Sequence, residues 1–332
     1  WMRVWESLLW VWPGLLFGWA LARRYFFGRP ALSAVVIFWT YLFLNQGPVY
    51  APLLLAGAIT IWGMGLKRKG FRLTAIFLAT LLAGLSRWTW TPAPALWAAL
   101  MLVLETRRRS VDEAEAWPMR SILLLAVAGL TAGALSQWIS AQITGRPAMM
   151  YLNAMEHPLL WYRLAPNATY VAGVVGAAIL AVRPVMALVI CLSASLHRKL
   201  KAIDLGLVAG VLGLFLAGGL VVSVKIGGGN NLHNMDLFLA TLALIAVLFV
   251  YLARLQDREW DRLTAGLLLW AAVAPAIWGA YAYQPDPEWP VATAEHIVAE
   301  INGWLDIKTN EGEILFIDQR HLLTLGLSPS YP

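Results

Sequence analysis

The chain has 332 residues, of which 60% are hydrophobic and only 13% are charged, and it contains 18 tryptophans. A water-soluble domain of this length needs more charge to cover its surface, so the composition excludes that class and predicts a membrane protein. The single cysteine excludes a disulfide framework and a thiolate metal cluster. The net charge of +6 follows from membrane topology, as shown below, and predicts no nucleic-acid partner.

Apolar runs alternate with short polar breaks along most of the chain. A helix that crosses a bilayer needs roughly 20 apolar residues, and flanking aromatic side chains can complete a shorter run. The pattern predicts an all-α polytopic membrane protein with about ten transmembrane helices, at 4–22, 31–44, 51–66, 71–85, 93–104, 117–137, 171–195, 205–224, 237–253 and 263–281.

Lysine and arginine residues predict the orientation of these helices. Seventeen of them lie in alternate breaks, at 23–29, 67–72, 107–120, 198–201 and 254–262, whereas the opposite breaks contain five. Under the positive-inside rule the first set is cytoplasmic. Arg183-Pro184 interrupts the run at 171–195, and we expect one helix there, because a hairpin of two short helices would reverse all later loops.

Two domains are expected. Residues 1–282 form the transmembrane domain, and residues 283–332 begin a small extracytoplasmic α/β domain, with a helix at 293–302 ended by Gly303 and a strand at 313–317. The chain begins at Trp1 and stops at Pro332 without a closing signal. We therefore expect the first domain to be incomplete at its N-terminus and the second at its C-terminus.

The breaks on the predicted outer side differ in composition from the basic breaks on the other side. They lie at 45–50, 86–92, 138–170 and 225–236, and they are rich in Trp, Tyr, Asn and Gly with isolated cations. Polar and aromatic groups of this kind line ligand sites. The asymmetry therefore predicts a binding site on the outer side.

The break at 225–236 has the most specific pattern. Three consecutive glycines let backbone N–H groups turn toward an anion between the end of one helix and the start of the next. The pattern predicts a phosphate- or donor-binding loop made of Lys225, Gly227, Gly228, Gly229, Asn230 and Asn231. The alternative is a simple turn in which Asn234 or Asp236 caps the next helix. His233 and Asp236 are weak candidates for a catalytic acid/base pair, because they could share one helical face.

Two other outer breaks place a cation beside aromatic residues. Arg87 can hold a phosphate or carboxylate bidentately, or it can extend to lipid headgroups beside the interfacial Trp88. Arg163 follows Trp161 and Tyr162 and can orient a phosphate. The rings of Trp88, Trp161 and Tyr162 can stack on a sugar or lie along an acyl chain.

Several motifs together resemble those of a known superfamily. They are Ser-Arg-Trp-Thr-Trp (86–90), Trp-Tyr-Arg-Leu (161–164), Asn-Ala-Thr-Tyr (167–170), the segment 225–236, Glu-Ile-Leu-Phe-Ile (313–317) and Gln-Arg-His-Leu-Leu-Thr (319–324). The chain resembles an uncharacterised bacterial group of multispanning proteins placed with the GT-C-type membrane glycosyltransferases. Relatives of that group include the polyprenyl-phosphate-sugar-dependent mannosyltransferases and the lipid A aminoarabinose transferases.

The resemblance implies a glycosyltransferase in the bacterial plasma (inner) membrane, with the C-terminal domain extracytoplasmic. Such enzymes move a sugar from a polyprenyl-phosphate-linked donor to a glycan, lipid or protein acceptor on the outer face. Their acidic base, which acts directly or through a divalent metal ion, is expected before Trp1, and no feature of this sequence supports a metal. Two other classes remain open: a transporter or flippase for lipid-linked saccharides, and a structural or sensory protein whose outer domain binds a partner.

Overall fold

The computed structural model describes residues 2–46, 49–106, 119–145, 159–167, 171–196, 200–226, 232–254, 266, 269–275, 277 and 291–308. Within these residues the regular structure is entirely helical. The chain divides into two compact units, Trp1–Ala282 and Tyr283–Pro332.

The helices of the first unit follow the apolar runs of the sequence. They are α1 (Met2–Tyr25), α2 (Pro30–Leu44), α3 (Ala51–Met64), α4 (Lys69–Ser86), α5 (Ala93–Thr106), α6 (Met119–Thr144), α7 (Gly173–Ser195), α8 (Ala202–Ile226) and α9 (Asp236–Arg254). Short 3₁₀ helices follow α4 (Trp88–Trp90) and precede α7 (Trp161–Leu164). The predicted run at 263–281 lies mostly outside the described residues.

Among the described residues, five helices are long and apolar enough to cross a membrane: Lys69–Ser86, Met119–Thr144, Gly173–Ser195, Ala202–Lys225 and Asp236–Ala253. Pro30–Leu44 and Ala51–Met64 are shorter apolar helices. These lengths and compositions indicate a multi-pass membrane protein in a lipid bilayer. The count of about ten spans and the sidedness of the loops remain predictions.

Helix α9 occupies the centre of the first unit. It packs against α1, α2, α5, α7 and α8. Of its most apolar 18-residue stretch, 83% is buried inside the protein, whereas the corresponding share is 28% for α6 and for α8. A helix that is apolar on all sides must be covered either by protein or by lipid. Protein covers α9, whereas α6 and α8 present most of their surface to the surroundings.

A small residue allows four helices to meet in the core. A Cβ atom on Gly57 of α3 would collide with the ring of Phe17 and lie only 3.1 Å from that of Trp97; the two rings pack edge to face with centroids 6.3 Å apart. The indole Nε1 of Trp97 donates a hydrogen bond of 2.7 Å to Thr241 Oγ1 of α9. Close approach of helices at small residues, with polar contacts across the interface, is the usual way that membrane helices associate.

One end of the bundle, which we call the basic end, contains residues 23–29, 64–72 and 105–106. There Arg24 pairs with Glu105 through two short contacts, Nε to Oε1 at 2.8 Å and Nη2 to Oε2 at 2.6 Å. The hydroxyl of Tyr25 donates to Glu105 Oε1 at 2.7 Å, and its ring lies 5.0 Å from that of Tyr251. An arginine predicted only to set topology therefore also ties α1 to α5.

The structure corrects two predicted boundaries and supports a third choice. Helix α6 continues to Thr144, so 138–144 is helix and not part of an outer loop. In the second unit, α10 (Val291–Lys308) runs through Gly303, which was wrongly predicted to end the helix. An internal glycine costs only about 1 kcal/mol relative to alanine and does not itself stop a helix. Helix α7 is continuous through Pro184, as the charge alternation indicated. The predicted strand at 313–317 lies outside the described residues.

Candidate functional site

Contacts at the end of the bundle opposite the basic end link three of the four polar breaks predicted to lie outside, and the fourth contacts the end of α8. We call this end of the bundle the polar end; it contains the described residues 44–46, 49–50, 86–93, 160–167, 171–173, 224–226 and 232–236. The rings of Tyr50 and Trp90 lie 5.8 Å apart. Arg87 reaches across to Asn234, and Leu160 N donates to Val224 O at 3.0 Å. Three of the predicted breaks are therefore linked to one another, and the fourth contacts the end of α8 through Leu160.

Arg87 is held by the protein itself. It is an extended residue between α4 and the 3₁₀ helix, and its Nη2 donates to Asn234 Oδ1 at 2.8 Å. Its Nη1 lies 3.6 Å from Asp236 Oδ2, and its Cζ lies 5.7 Å from the centre of the Trp90 ring. Arg87 thus faces a carboxylate of the protein itself, and its binding of a phosphate or carboxylate of a ligand stays a prediction. Its main contacts are those of a residue that fixes the loop before α9.

Asp236 begins α9 and is almost fully buried, with a side-chain exposure of 3%. Its Oδ1 accepts the backbone N–H of Leu237 at 2.8 Å, as expected of a carboxylate in the first turn of a helix. Its Oδ2 is buried and has no hydrogen bond of good geometry to any described residue; the same holds for the nearby Trp90 Nε1. The carboxylate therefore depends on the charge of Arg87.

His233 is half-buried on the same turn. Loss of hydration on burial, and then the positive charge of Arg87, lower the pKa of His233 below its ordinary value of 6.5. The imidazole is therefore neutral at neutral pH. Both members of the predicted acid/base pair, His233 and Asp236, thus lie close to Arg87.

The lowered pKa of His233 predicts how stability changes with pH. Below about pH 6.5 the unfolded chain takes up a proton that the folded protein resists, so stability falls as the pH falls. Unfolding temperatures in detergent should decline between about pH 7.5 and about pH 5, and less so in His233→Gln. The control is His296→Gln, which changes an exposed histidine of α10. Equal slopes in wild type and His233→Gln would show that another group causes the decline.

The turn before α9 is held in place by the buried side chain of Leu232 and by close contact with a glycine of α8. Leu232 has a positive φ of 58°, an unfavourable conformation for a leucine, yet its side chain is only 2% exposed. Met235 N donates to Leu232 O at 2.8 Å. A Cβ atom on Gly219 would lie 2.7 Å from Met235 Sδ and 2.8 Å from Asn234 O. Gly219 therefore lets the turn rest directly on α8. The predicted loop residues Gly227, Gly228, Gly229, Asn230 and Asn231 lie outside the described residues.

The second cation of the polar end lies in the 3₁₀ helix Trp161–Leu164. Asn167 Nδ2 closes this segment by donating to the backbone oxygens of Tyr162 and Ala165, both at 3.0 Å. Gly173 begins α7 with φ of 63°, and a Cβ atom there would collide with the backbone of Ala165. These local constraints hold the segment against the ends of α7 and α8.

Within this segment the arginine is turned inward and the aromatic residues outward. Arg163 Nε and Nη1 are buried and make no hydrogen bond to any described residue, and Arg163 Cζ lies 5.9 Å from the Tyr162 ring. Trp161 is 63% exposed and Tyr162 53% exposed, and Trp88 is also exposed. Lys225 is half-buried and follows Val224, which accepts the hydrogen bond of Leu160.

Sequence reasoning did not assign a site role to Asn234, Trp90 or Tyr50. The sequence predicts only a helix-capping role for Asn234, whereas its Oδ1 accepts a hydrogen bond from Arg87. Trp90 is 3% exposed and packs beside Tyr50 and Arg87. The only signal in the sequence was that these residues fall within the outer polar breaks. A single sequence contains no pattern that predicts a contact between residues 147 positions apart, such as Arg87 and Asn234.

The fold and this site define the chain as a multi-pass helical membrane protein with a buried polar cluster at one end of its bundle. No protein-family model or curated protein matches the sequence, and no solved structure matches the fold. Among the described residues, no group of three or more His, Cys, Asp or Glu side chains could hold a metal ion.

Proposed function

We propose that the protein is a membrane glycosyltransferase that takes a sugar from a polyprenyl-phosphate-linked donor and passes it to an acceptor at the outer membrane face. The described residues contribute binding of the carrier phosphate and of the adjoining sugar or lipid. The base that accepts the acceptor's proton is expected outside them, so the role proposed for this chain is recognition and charge stabilisation.

One observation carries the proposal. Arg163 has two buried guanidinium nitrogens for which the described part of the chain offers no acceptor. A buried donor without an acceptor is costly, and a phosphate oxygen provides a charge-assisted one. The segment is fixed beside the end of α8, where Lys225 supplies a second positive charge. Exposed Trp161 and Tyr162 border it with apolar surface suited to a sugar or an isoprenoid chain.

The two cations fit the chemistry of transfer. When the bond between the anomeric carbon and the phosphate oxygen breaks, its electron pair stays on the phosphate and the sugar becomes oxocarbenium-like. A fixed guanidinium in a site with little water stabilises the negative charge that develops on the leaving phosphate. Because Asn234 and Asp236 already engage Arg87, its proposed role is to position the turn Leu232–Met235 that precedes α9.

The proposal predicts a specific loss of carrier affinity. Binding of polyprenyl phosphate to the purified protein in lipid nanodiscs should weaken by about 10-fold or more in Arg163→Ala, since a charge-assisted hydrogen bond contributes about 1.5–3 kcal/mol. Lys225→Ala should weaken binding as well and should abolish sugar transfer while leaving membrane insertion intact. Native mass spectrometry measures the bound carrier, and transfer of a radiolabelled sugar measures activity.

Matched controls lie at the basic end. Arg68→Ala removes an arginine whose Cζ lies 5.8 Å from the Phe71 ring, much as Arg163 lies over Tyr162 at 5.9 Å. Lys67→Ala removes an exposed lysine. Neither control should change carrier binding. Wild-type affinity in both Arg163→Ala and Lys225→Ala would remove the phosphate site from the proposal.

The competing function is a transporter or flippase for lipid-linked saccharides. Arg183, a charge within the span of α7, is the observation that favours it, because charged residues inside the membrane often mark transport paths. Movement of the lipid-linked sugar across vesicles without covalent transfer would establish that function instead of the transferase.

A further inference from the structure

Helix α7 carries a charge at a depth where membrane helices rarely have one. Arg183 lies ten residues after Gly173 and twelve before Ser195, the two ends of the helix. At about 1.5 Å per residue it is about 15 Å from either end, near the middle of the hydrocarbon layer. The residue is exposed, and the next residue, Pro184, is buried.

The surface around Arg183 is apolar. Val175, Ile179, Arg183 and Ile190 form one exposed stripe along α7, with Ile179 at 58% exposure and Ile190 at 63%. We call these four residues the α7 face. Beside it, the ring of Trp270 lies 5.8 Å from Arg183 Cζ and is also exposed. The α7 face is thus a lipid-facing strip with a single positive charge at its centre.

The described residues offer Arg183 no carboxylate. Among the described residues, the recorded interaction of its guanidinium is with the Trp270 ring, and the acidic residues of the first unit lie at or near helix ends: Glu6 near the start of α1, Glu105 at the end of α5, Asp204 at the start of α8 and Asp236 at the start of α9. A guanidinium exposed at mid-bilayer is unfavourable unless a protein group or water compensates it. An aromatic face compensates only part of the lost hydration.

We infer that the α7 face binds a transmembrane helix of a partner protein that carries an acidic side chain at mid-bilayer depth. Charge complementarity selects this occupant. A lipid phosphate lies at the membrane surface, about 15 Å from the midplane and beyond the reach of this side chain. A second copy of the described helices offers no acidic residue at the matching depth. Ile179 and Ile190 would pack against the partner above and below the ion pair.

A designed helix tests this inference without an identified partner. The probe is a fluorescent transmembrane peptide of leucine and alanine that carries one aspartate at its centre, mixed with the protein in phosphatidylcholine vesicles. Energy transfer from the labelled protein should show association of the Asp peptide at least about 10-fold stronger than that of an all-apolar peptide, as expected for a charge-assisted contact. Arg183→Leu should remove the difference, and Arg183→Lys should keep part of it.

Two further variants test whether the charge of Arg183 selects the peptide. The Arg183→Asp variant should no longer associate with the Asp peptide and should instead associate with a peptide that carries a central lysine. A folding defect would not produce this reversal. Arg120→Leu, which removes an exposed arginine at the start of α6, should leave binding unchanged. Equal binding of the Asp and apolar peptides, or complete displacement of the Asp peptide by added phosphatidylglycerol, would overturn the inference. None of these measurements depends on sugar transfer.

Discussion

Arg87→Ala should lower the free energy of unfolding by about 3 kcal/mol, because removal of one partner from a buried ion pair leaves the other charge uncompensated. Asp236 is only 3% exposed and cannot regain its hydration without disturbing the turn before α9. The variant also removes the guanidinium donor of Asn234. Denaturant titration in detergent, followed by tryptophan fluorescence, measures the loss.

A double variant separates the ion pair from simple loss of packing. Asp236→Asn replaces the carboxylate by a neutral group of the same shape, so Arg87→Ala should be less destabilising in that background by at least about 1 kcal/mol. Arg23→Ala is the control, since Arg23 is exposed and contacts the rings of Trp19 and Phe27. It should change stability by less than about 1 kcal/mol. Additive effects of Arg87→Ala and Asp236→Asn would contradict a coupled pair.

Glu105→Ala should have the second largest effect, a loss of about 2–3 kcal/mol at the basic end. The variant breaks a bidentate pair with Arg24 and a hydrogen bond from Tyr25. Arg24 and Glu105 retain side-chain exposures of 15% and 25%, so water compensates part of the loss and the effect stays below that of a fully buried pair. The same denaturant titration applies.

A charge-preserving comparison tests the geometry of this contact. Glu105→Asp keeps the charge but shortens the side chain, and it should lose about half as much stability as Glu105→Ala if the bidentate arrangement matters. Glu300→Ala, at an exposed position of α10, should be neutral. If Glu105→Ala proved as neutral as Glu300→Ala, the contact with Arg24 would hold no part of the bundle together.

The positions of the helices could be predicted because hydrophobicity is a local property of the chain. Each predicted run from 4 to 253 corresponds to a helix, and most ends agree within three residues. Two helix ends were predicted too early. Helix α6 continues through polar residues to Thr144, and α10 continues through Gly303. Whether such residues stay helical depends on neighbouring contacts, such as that of Gln137 with the backbone of Gly84.

The pairing of charges could not be predicted in the same way. The sequence identified Arg87 as an isolated cation on the side opposite the basic loops, and it identified Arg24 as one of many topological charges. Neither the pair of Arg87 with Asp236 nor that of Arg24 with Glu105 has a signal in spacing, because the partners are far apart in the chain.

The sequence alone determined that this is a helical membrane protein and which breaks carry unusual polar groups, since both follow from the order of apolar and polar residues. Only the tertiary structure decided which cations are engaged internally and which lack an acceptor within the described chain. Arg87 faces a carboxylate while Arg163 has buried nitrogens without one, although each is a single arginine within two residues of a tryptophan. The physical reason is that the stability of a buried charge depends on the groups that surround it in space, and the packing of the helices brings those groups together.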